Sequence, residues 1–219
     1  MKTIALLHTV QSVADTFANQ LREYLGEEVR ICNLWDDFLA NNPNEIGEFT
    51  INNRNRLYND IRNLELTGAD MIVVTCSTLT PVVEMIRPFI SVPVIAIDDA
   101  MGRKAAASGE KIFVLATAGS TIEPTKNKLT AEAAKLGKTL ELEGMAVAPA
   151  YEALKAVDME RHDALLKEAA KEIKGYDCIV LAQASMAHLK DSISEIAGCP
   201  VFASPALCME EVKETLKNI

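Results

Sequence analysis

The sequence has few basic residues and no long apolar segment. Lys and Arg number 22 against 31 Asp and Glu, so the 219-residue chain has a formal net charge of −9. Nucleic acids and anionic membranes bind clustered positive charge, and we expect neither as a partner. No apolar run approaches the roughly 20 residues that a membrane-spanning helix requires. Residues 1–7 predict a core strand rather than a signal peptide, which favours a cytoplasmic protein.

The five cysteines lack the spacing of a disulfide framework or a zinc site. Their number is odd, no Cys-x-x-Cys pair occurs, and no histidine-rich segment lies near them, so we expect no metal ion. Four lie in or beside apolar segments, where cysteine usually acts as a small buried hydrophobic residue: Cys32, Cys178, Cys199 and Cys208. Cys76 differs, because it follows an aliphatic run and precedes Ser77 and Thr78, where a strand ends and a helix begins.

The chain contains an internal repeat. Residues 70–78, Asp-Met-Ile-Val-Val-Thr-Cys-Ser-Thr, recur in altered form at residues 177–185, Asp-Cys-Ile-Val-Leu-Ala-Gln-Ala-Ser. Cys76 in the first copy therefore corresponds to Gln183 in the second. A duplicated chain with a thiol in one half and an amide in the other has one candidate acid–base group where a symmetric ancestor would have had two.

The segments that flank this repeat follow in the same order. Pro200 lies 107 residues after Pro93, the same interval that separates Asp177 from Asp70. Such a repeat predicts two similar lobes of roughly a hundred residues each. We assign the lobes to residues 1–98 plus 205–219 and to residues 99–204.

Short aliphatic runs alternate with helical patterns along the chain. The strands expected with most support are residues 3–7, 71–74, 112–115 and 178–181. The helical patterns cover residues 12–25, 57–67, 81–90, 121–136, 158–174 and 186–196. Strands that are apolar at every position suit parallel sheets buried on both faces. The pattern predicts an α/β fold with two pseudo-symmetric lobes, each a parallel sheet flanked by helices.

Residues 36–63 depart from this pattern, because they are rich in asparagine and have little apolar periodicity. Long loops in compact domains are uncommon unless they form lids or binding loops. We expect a loop that overhangs the binding crevice, with a variable surface connection as the alternative.

Hydroxyl residues follow several of the expected strands. Backbone N–H groups at the start of a helix are unpaired and carry partial positive charge, which favours carboxylate or phosphate binding. Plain helix capping is the alternative for any single turn. Several such turns at the carboxyl ends of strands predict a small-anion site in a crevice between the lobes. The residues are Thr9, Ser12, Ser77, Thr78, Ser120, Thr121 and Ser185.

Cys76 is the candidate acid–base group. The start of a helix and a nearby imidazole both favour the thiolate form of a cysteine. His8 ends the first strand, so a contact with Cys76 requires only that the two strands be neighbours. The alternative for His8 is a hydrogen-bonded histidine with no part in catalysis. We expect His162 on the surface, and His188 is a weaker candidate.

A poised thiolate could attack a carbonyl group or move a proton at carbon. The first reaction receives less support, because no glycine-rich oxyanion loop or orienting third residue is recognisable. Proton transfer at a carbon next to a carboxylate makes use of the hydroxyl-bearing turns, since donors there reduce the charge on a developing carbanion.

The segments Val-Val-Thr-Cys-Ser-Thr at 73–78 and Val-Leu-Ala-Gln-Ala-Ser-Met-Ala at 180–187 resemble the aspartate/glutamate racemase superfamily. That superfamily includes hydantoin racemases, maleate isomerases and arylmalonate decarboxylases. The resemblance covers nearly the whole chain, including residues 92–98, 114–121 and 151–156. It implies an enzyme without metal or organic cofactor, in which one cysteine from each lobe acts on opposite faces of a substrate carbon. It also implies that the last helix, residues 210–219, packs on the first lobe, and that the chain could form a homo-oligomer.

The resemblance assigns roles to residues of this chain. Cys76 matches the first cysteine, Gln183 stands where the second would be, and His8 takes the place of a polar residue beside the first. The set implied to bind substrate comprises Thr9, Gln11, Ser12, Ser77, Thr78, Thr117, Ser120, Thr121, Ala184 and Ser185.

Gln183 departs from the family pattern, because an amide neither gives nor takes a proton at neutral pH. Ser185 or His188 could substitute for the missing thiol. We predict a cofactor-independent racemase or isomerase acting on a small carboxylate, with Cys76 as the acid–base group. The alternatives are a one-cysteine decarboxylase or isomerase of the same superfamily and a non-catalytic carboxylate-binding protein.

Overall fold

The computed structural model describes residues 1–26 and 28–219. The chain divides into two compact units, Met1–Ile97 with Cys208–Ile219 (unit 1) and Asp98–Leu207 (unit 2). Each unit contains a four-stranded parallel sheet flanked by helices, which confirms the predicted α/β fold with two lobes.

Unit 1 is built on a sheet with the strand order β2-β1-β3-β4. Its strands are β1 (Lys2–His8), β2 (Val29–Trp35), β3 (Met71–Val74) and β4 (Val94–Ala96). Its helices are α1 (Gln11–Leu25), α2 (Phe38–Ile46), α3 (Ile51–Glu65) and α4 (Thr80–Ile86), with 3₁₀ turns at Ser77–Leu79 and Arg87–Phe89. Strands β1 and β3 are neighbours, so the residues that follow them emerge at the same edge of the sheet.

Unit 2 repeats this arrangement with the strand order β6-β5-β7-β8. Its strands are β5 (Lys111–Ala116), β6 (Glu141–Ala146), β7 (Cys178–Leu181) and β8 (Val201–Ala203). Its helices are α5 (Asp99–Ser108), α6 (Ile122–Lys135), α7 (Ala148–Lys155), α8 (Met159–Ala170) and α9 (Lys190–Ala197), with 3₁₀ turns at Gly119–Thr121 and Ala184–Leu189. The last helix, α10 (Ser204–Leu216), runs from unit 2 into the C-terminal segment of unit 1.

The strands of the two sheets are paired in equivalent registers. Ile4 pairs with Met71 in unit 1, and their counterparts Ile112 and Cys178 pair in unit 2. This correspondence extends to the strand ends, where the Thr75 N–H donates to the Leu7 carbonyl at 2.9 Å and the Ala182 N–H donates to the Leu115 carbonyl at 3.0 Å. The sequence repeat is therefore a structural repeat, and the positions of Cys76 and Gln183 are equivalent in their own units.

Hydrogen bonds from backbone N–H groups to aspartate side chains lie at the opposite end of the same strands. The Asp70 carboxylate accepts the Thr3 N–H at 2.7 Å, and the Asp177 carboxylate accepts the Lys111 N–H at 2.9 Å. These bonds hold the pKa of Asp70 and the pKa of Asp177 below the ordinary value for aspartate. The repeated Asp in the sequence is thus a structural residue that fixes the first strand of each unit against the third.

The prediction of a loop over residues 36–63 is wrong, because α2 and α3 occupy most of this segment. The apolar face of α3 is narrow, and Leu57, Ile61 and Leu64 supply most of it. Asparagine stabilises the segment through specific bonds: Thr50 and Asn53 form a reciprocal capping box at the start of α3. The asparagine-rich composition of this segment therefore did not predict the capped helix.

Strands β2 and β6 were absent from the strands predicted from the sequence. Both lie at the edge of their sheet, next to β1 and β5 respectively. Apart from the buried Val29, their residues are half-buried or exposed, and they do not form an apolar run. Arg30 and Asn33 in β2, with Glu141 and Glu143 in β6, remove the aliphatic signal on which the prediction relied.

Candidate functional site

Cys76 lies at the carboxyl end of β3, beside the end of β1. It has an extended backbone and immediately precedes the 3₁₀ turn Ser77–Leu79, whose Leu79 N–H donates to the Cys76 carbonyl at 3.1 Å. Its side chain is half-buried and packs against the apolar cluster that includes Leu7 and Val74. A thiol in this position is held by the sheet and remains partly accessible.

His8 is fully buried directly beneath this edge. Its Nδ1 lies 2.8 Å from the Thr75 hydroxyl, and its Nε2 lies 3.2 Å from Asn33 Oδ1. Burial lowers the pKa of His8, against the smaller effect of the Asn33 bond, so the ring is neutral at pH 7. Because Asn33 Oδ1 is an acceptor, the neutral ring carries its proton on Nε2 and donates to Asn33. Nδ1 is then an acceptor for the Thr75 hydroxyl, whose single proton is also within reach of the Leu7 carbonyl at 3.1 Å. Among the described residues His8 has no hydrogen bond to Cys76, and the connection runs through Thr75.

Thr9 follows His8 and has an unusual environment. The residue is 4% exposed, and its hydroxyl is buried with no hydrogen-bond partner in the described part of the chain. Leaving a buried hydroxyl unpaired costs free energy, so such groups are few in folded proteins. Thr9 thus has an unused donor and acceptor at the carboxyl end of β1.

The equivalent region of unit 2 is filled by Gln183. Its Oε1 accepts hydrogen bonds from the Thr117 N–H at 2.6 Å, the Thr117 hydroxyl at 3.0 Å and the Ala118 N–H at 3.2 Å. Two of these donors are backbone N–H groups, so the atom facing them must be the carbonyl oxygen rather than the amide nitrogen. The amide NH₂ therefore faces away from Thr117.

The remaining predicted binding residues lie on the four turns at these strand ends. Half-buried residues are Ser77, Thr121, Ala184 and Ser185, and exposed ones are Gln11, Ser12, Thr78 and Ser120. Thr121 donates its hydroxyl to the Ala118 carbonyl at 2.8 Å, which stabilises the turn after β5. Thr117 is 1% exposed. Within unit 1 the structure brings together His8, Thr9 and Cys76, and within unit 2 it brings together Thr117 and Gln183.

The sequence pattern of the Asp/Glu/hydantoin racemase family matches residues 5–212. The chain belongs to this family. It is accordingly a racemase-type isomerase. No curated protein matches it at the sequence level.

Solved racemase structures share the fold of this family member at low sequence identity. A glutamate racemase isoform from Bacillus anthracis is 19% identical, with a TM-score of 0.71, covering 99% of this chain and 82% of that chain. An aspartate racemase homologue from Pyrococcus horikoshii OT3 is 17% identical, with a TM-score of 0.69, covering 99% of this chain and 100% of that chain. Allantoin racemase from Klebsiella pneumoniae is 17% identical, with a TM-score of 0.68, covering 100% of this chain and 89% of that chain.

Within the described residues of this racemase-family chain, no helix is both long and apolar enough to cross a membrane.

Sequence reasoning missed the residues that support His8. Thr75 precedes the singled-out cysteine, and Asn33 lies in the edge strand β2, which the aliphatic pattern does not reveal. The parallel pairing of β1 with β2 places Asn33 two residues before Trp35, the partner of His8. Had β2 been predicted as the neighbour of β1, the position of Asn33 near His8 would have followed from the pairing.

A second polar cluster, also missed, lies where β2 ends. The Asp36 N–H donates to the His8 carbonyl at 2.8 Å, and the Asp36 carboxylate pairs with Arg56. Burial and the neighbouring Asp36 raise the pKa of Asp60 to about 7, although Arg56 opposes this. The two carboxyl groups share one site, so Asp60 holds a proton at mildly acidic pH while Asp36 stays charged.

The prediction of a surface position for His162 is wrong, because the residue is fully buried. It lies on the inner face of α8, where its ring stacks on that of His188 with centroids 6.2 Å apart. Charged neighbours in the sequence suggested exposure, but they occupy the other faces of the same helix. His188 is partly exposed and bonds to Asp163, also on α8.

Proposed function

We propose that the protein is a cofactor-independent racemase or isomerase in which Cys76 transfers a proton at a carbon next to the carboxylate of a small acid. The substrate class is an amino acid, a dicarboxylate or a related compound. The observation that carries the proposal is the pairing of a half-buried thiol with the unpaired, buried hydroxyl of Thr9 at one sheet edge.

The structural repeat supports an anion-binding role for the Thr9 turn. Thr9 is the counterpart of Thr117, and Cys76 is the counterpart of Gln183. In unit 2 the hydroxyl and N–H donors of the turn bind the Gln183 carbonyl oxygen. Cysteine ends at Sγ, two bonds short of the glutamine Oε1 position, and no partner of the Thr9 hydroxyl is found among the described residues. A substrate oxygen would complete the site in unit 1.

The chemistry follows from that arrangement. The Cys76 thiolate would remove the proton from the carbon next to the carboxylate, forming a thiol while the carbon–hydrogen electron pair moves into the carboxylate. The developing enediolate oxygen would be stabilised by the Thr9 hydroxyl and by backbone N–H groups of the α1 turn. Return of the proton to a neighbouring atom of the substrate completes an isomerisation and regenerates the thiolate. Racemisation requires instead that Cys76 release the proton to solvent and that water protonate the opposite face of the carbon. The contribution of Ser77 and Thr78 in this proposal is to hold the same carboxylate from the α4 side.

We assign Gln183 a hydrogen-bonding role rather than a proton-transfer role. Its carbonyl oxygen is held by Thr117 and Ala118, and its amide N–H groups can only donate. Thr117 then acts as a positioning residue for Gln183 rather than as a direct carboxylate ligand. His8, neutral and bonded to Thr75, would position the Thr75–Cys76 segment.

The hydrogen-bonded amide of Gln183 also favours a second candidate reaction. Decarboxylation followed by protonation, or a proton shift on one face of the substrate, needs a single thiol and no acid–base group at position 183. The anchored amide of Gln183 is the observation that supports this alternative over inversion through two thiols.

Hydrogen exchange tests the assignment of Cys76. The protein is incubated in heavy water with amino acids, dicarboxylates and α-aryl malonates, while deuterium at the α-carbon and release of carbon dioxide are followed. Cys76→Ala is expected to lower the rate by at least about 100-fold. Cys199→Ala is the matched control, because Cys199 is also a half-buried free thiol but packs in the core of unit 2. An active Cys76→Ala protein would disprove the assignment.

A further inference from the structure

Three residues of unit 2 form a compact cluster that does not include Cys76, the proposed acid–base group. His162 and Asp163 begin the second turn of α8, and His188 lies in the 3₁₀ turn Ala184–Leu189. One ligand atom from each residue lies within 4.8 Å of the other two. We propose that His162, Asp163 and His188 bind a divalent transition-metal ion such as Ni²⁺ or Zn²⁺.

The spacings between the carboxylate and the two imidazoles are close to those between neighbouring ligands of one ion. His162 Nδ1 lies 2.8 Å from Asp163 Oδ1, and His188 Nε2 lies 2.9 Å from both carboxylate oxygens. Neighbouring ligand atoms around an octahedral ion with bonds of about 2.1 Å are separated by about 3.0 Å. The carboxylate therefore needs to move by only a few tenths of an ångström from each nitrogen, on the order of the difference between these spacings. The two imidazole nitrogens lie within 4.8 Å of each other and must approach each other to bind one ion.

The donor set matches the chemistry of these ions. Two imidazole nitrogens and one carboxylate oxygen form a combination that favours borderline first-row metals over Mg²⁺ or Ca²⁺, which prefer oxygen ligands. Without an ion, both imidazoles direct N–H groups at the same carboxylate, and these bonds hold the pKa of Asp163 below its ordinary value against the effect of burial. A divalent ion would take the place of those two protons.

The cluster is buried on the side of His162 and open on the side of His188. His162 is 0% exposed, and its Nδ1 is the ring nitrogen that faces the Asp163 carboxylate. The His188 side chain is 47% exposed, so the cluster opens to solvent on that side. An ion could enter there and complete its coordination with water.

Metal binding would connect α8 with a segment next to the proposed functional site. His188 is five residues after Gln183, and the 3₁₀ turn that carries it starts at Ala184. An ion held by Asp163 and His188 would fix this turn against α8. The metal proposal itself depends only on the three ligands and stands apart from the proposed function.

Calorimetric titration of the full chain with Ni²⁺ tests this site. The wild type is expected to bind one equivalent, and His188→Asn and Asp163→Asn are expected to weaken binding at least about tenfold each. Asp191→Asn is the matched control, because it removes an exposed carboxylate three residues from His188. The substitutions Cys76→Ser and Cys199→Ser exclude binding by thiols, and both proteins should keep the wild-type affinity.

Thermal unfolding supplies a second measurement that does not depend on the calorimetric signal. Ni²⁺ should raise the Tm of the wild type and of Asp191→Asn, and it should leave the Tm of His188→Asn unchanged. Absence of saturable binding in the wild type overturns the proposal. Equal affinity in the wild type and His188→Asn, or loss of binding only in the cysteine variants, also overturns it.

Discussion

The Thr117 N–H donates a hydrogen bond to Gln183 Oε1 over 2.6 Å, and the Thr117 hydroxyl donates to the same oxygen over 3.0 Å. In the repeated position of unit 1, Thr9 has no such partner, because Cys76 is too short to supply one. The threonine hydroxyl of the turn is therefore hydrogen-bonded in unit 2 and has no partner among the described residues in unit 1. This difference in hydrogen bonding, together with the exchange of thiol for amide, distinguishes the two units chemically.

Removal of the Gln183 side chain should expose the donors that it satisfies. We expect Gln183→Ala to lower the free energy of unfolding by about 1–3 kcal/mol, since two backbone N–H groups and a buried hydroxyl lose their acceptor. Urea unfolding measures this loss. Acetamide, which resembles the missing group, should stabilise the variant and have no comparable effect on the wild type. Equal effects of acetamide on both proteins would contradict this explanation.

Thr9→Val should separate function from stability. The substitution is nearly isosteric and removes a hydroxyl with no partner in the described structure, so the free energy of unfolding should be unchanged or slightly higher. The rate of α-carbon exchange should nevertheless fall about 10- to 100-fold, because a donor to the developing oxyanion is lost. The comparison variant is Thr117→Val, which should lower stability by leaving Gln183 Oε1 with fewer donors. A Thr9→Val protein of normal activity would count against the proposed anion site.

The raised pKa of Asp60 leads us to expect a specific pH dependence of stability. Burial and Asp36 raise the pKa of Asp60 to about 7, so the folded protein holds a proton that the unfolded chain releases near pH 4. The stability that this group contributes is complete below about pH 4 and is lost as the pH rises through about 7. Asp60→Asn, which imitates the protonated form, should be more stable than the wild type at pH 8 by about 1–2 kcal/mol after allowance for solvent screening.

The measurement for Asp60 is urea unfolding at several pH values between 4 and 8. The difference between Asp60→Asn and the wild type should be small at pH 4 and should grow towards pH 8. Asp15→Asn, an exposed aspartate on α1 of the same unit, serves as the control and should follow the wild-type profile. A constant difference across the pH range would show that the substitution acts through packing.

The sequence was most informative where physical constraints are local. Aliphatic runs such as residues 71–74 identify buried parallel strands, and the repeat identifies Cys76 and Gln183 as equivalent positions. Edge strand β2 and the buried face of α8 escaped prediction, because their burial depends on tertiary neighbours rather than on a run of apolar residues. The partners of Gln183 Oε1 were also unpredictable, since a side chain that folds back onto a backbone turn has no signature in sequence spacing.

A buried ion-pair network in unit 2 gives the largest expected loss of stability. Lys128 Nζ lies 2.6 Å from Asp99 and 3.0 Å from Glu132, and all three residues are almost fully buried. Burial acts to raise the pKa of Glu132, but bonds from Lys135 and Lys128 hold it below the ordinary value. Removal of the central cation leaves two buried carboxylates without it, so Lys128→Ala should destabilise the protein by about 3–5 kcal/mol.

Lys135→Ala supplies the matched control for this network. Lys135 bonds to the same Glu132 at 2.8 Å, but its side chain is 63% exposed. Its removal should therefore cost no more than about 1 kcal/mol. Urea unfolding of both variants at pH 7 gives the comparison, and repetition at pH 4 should narrow the difference, because protonation of a group with a lowered pKa removes the stability that its charge provides. Equal losses for Lys128→Ala and Lys135→Ala would show that solvent reaches both cations and that the network is not desolvated.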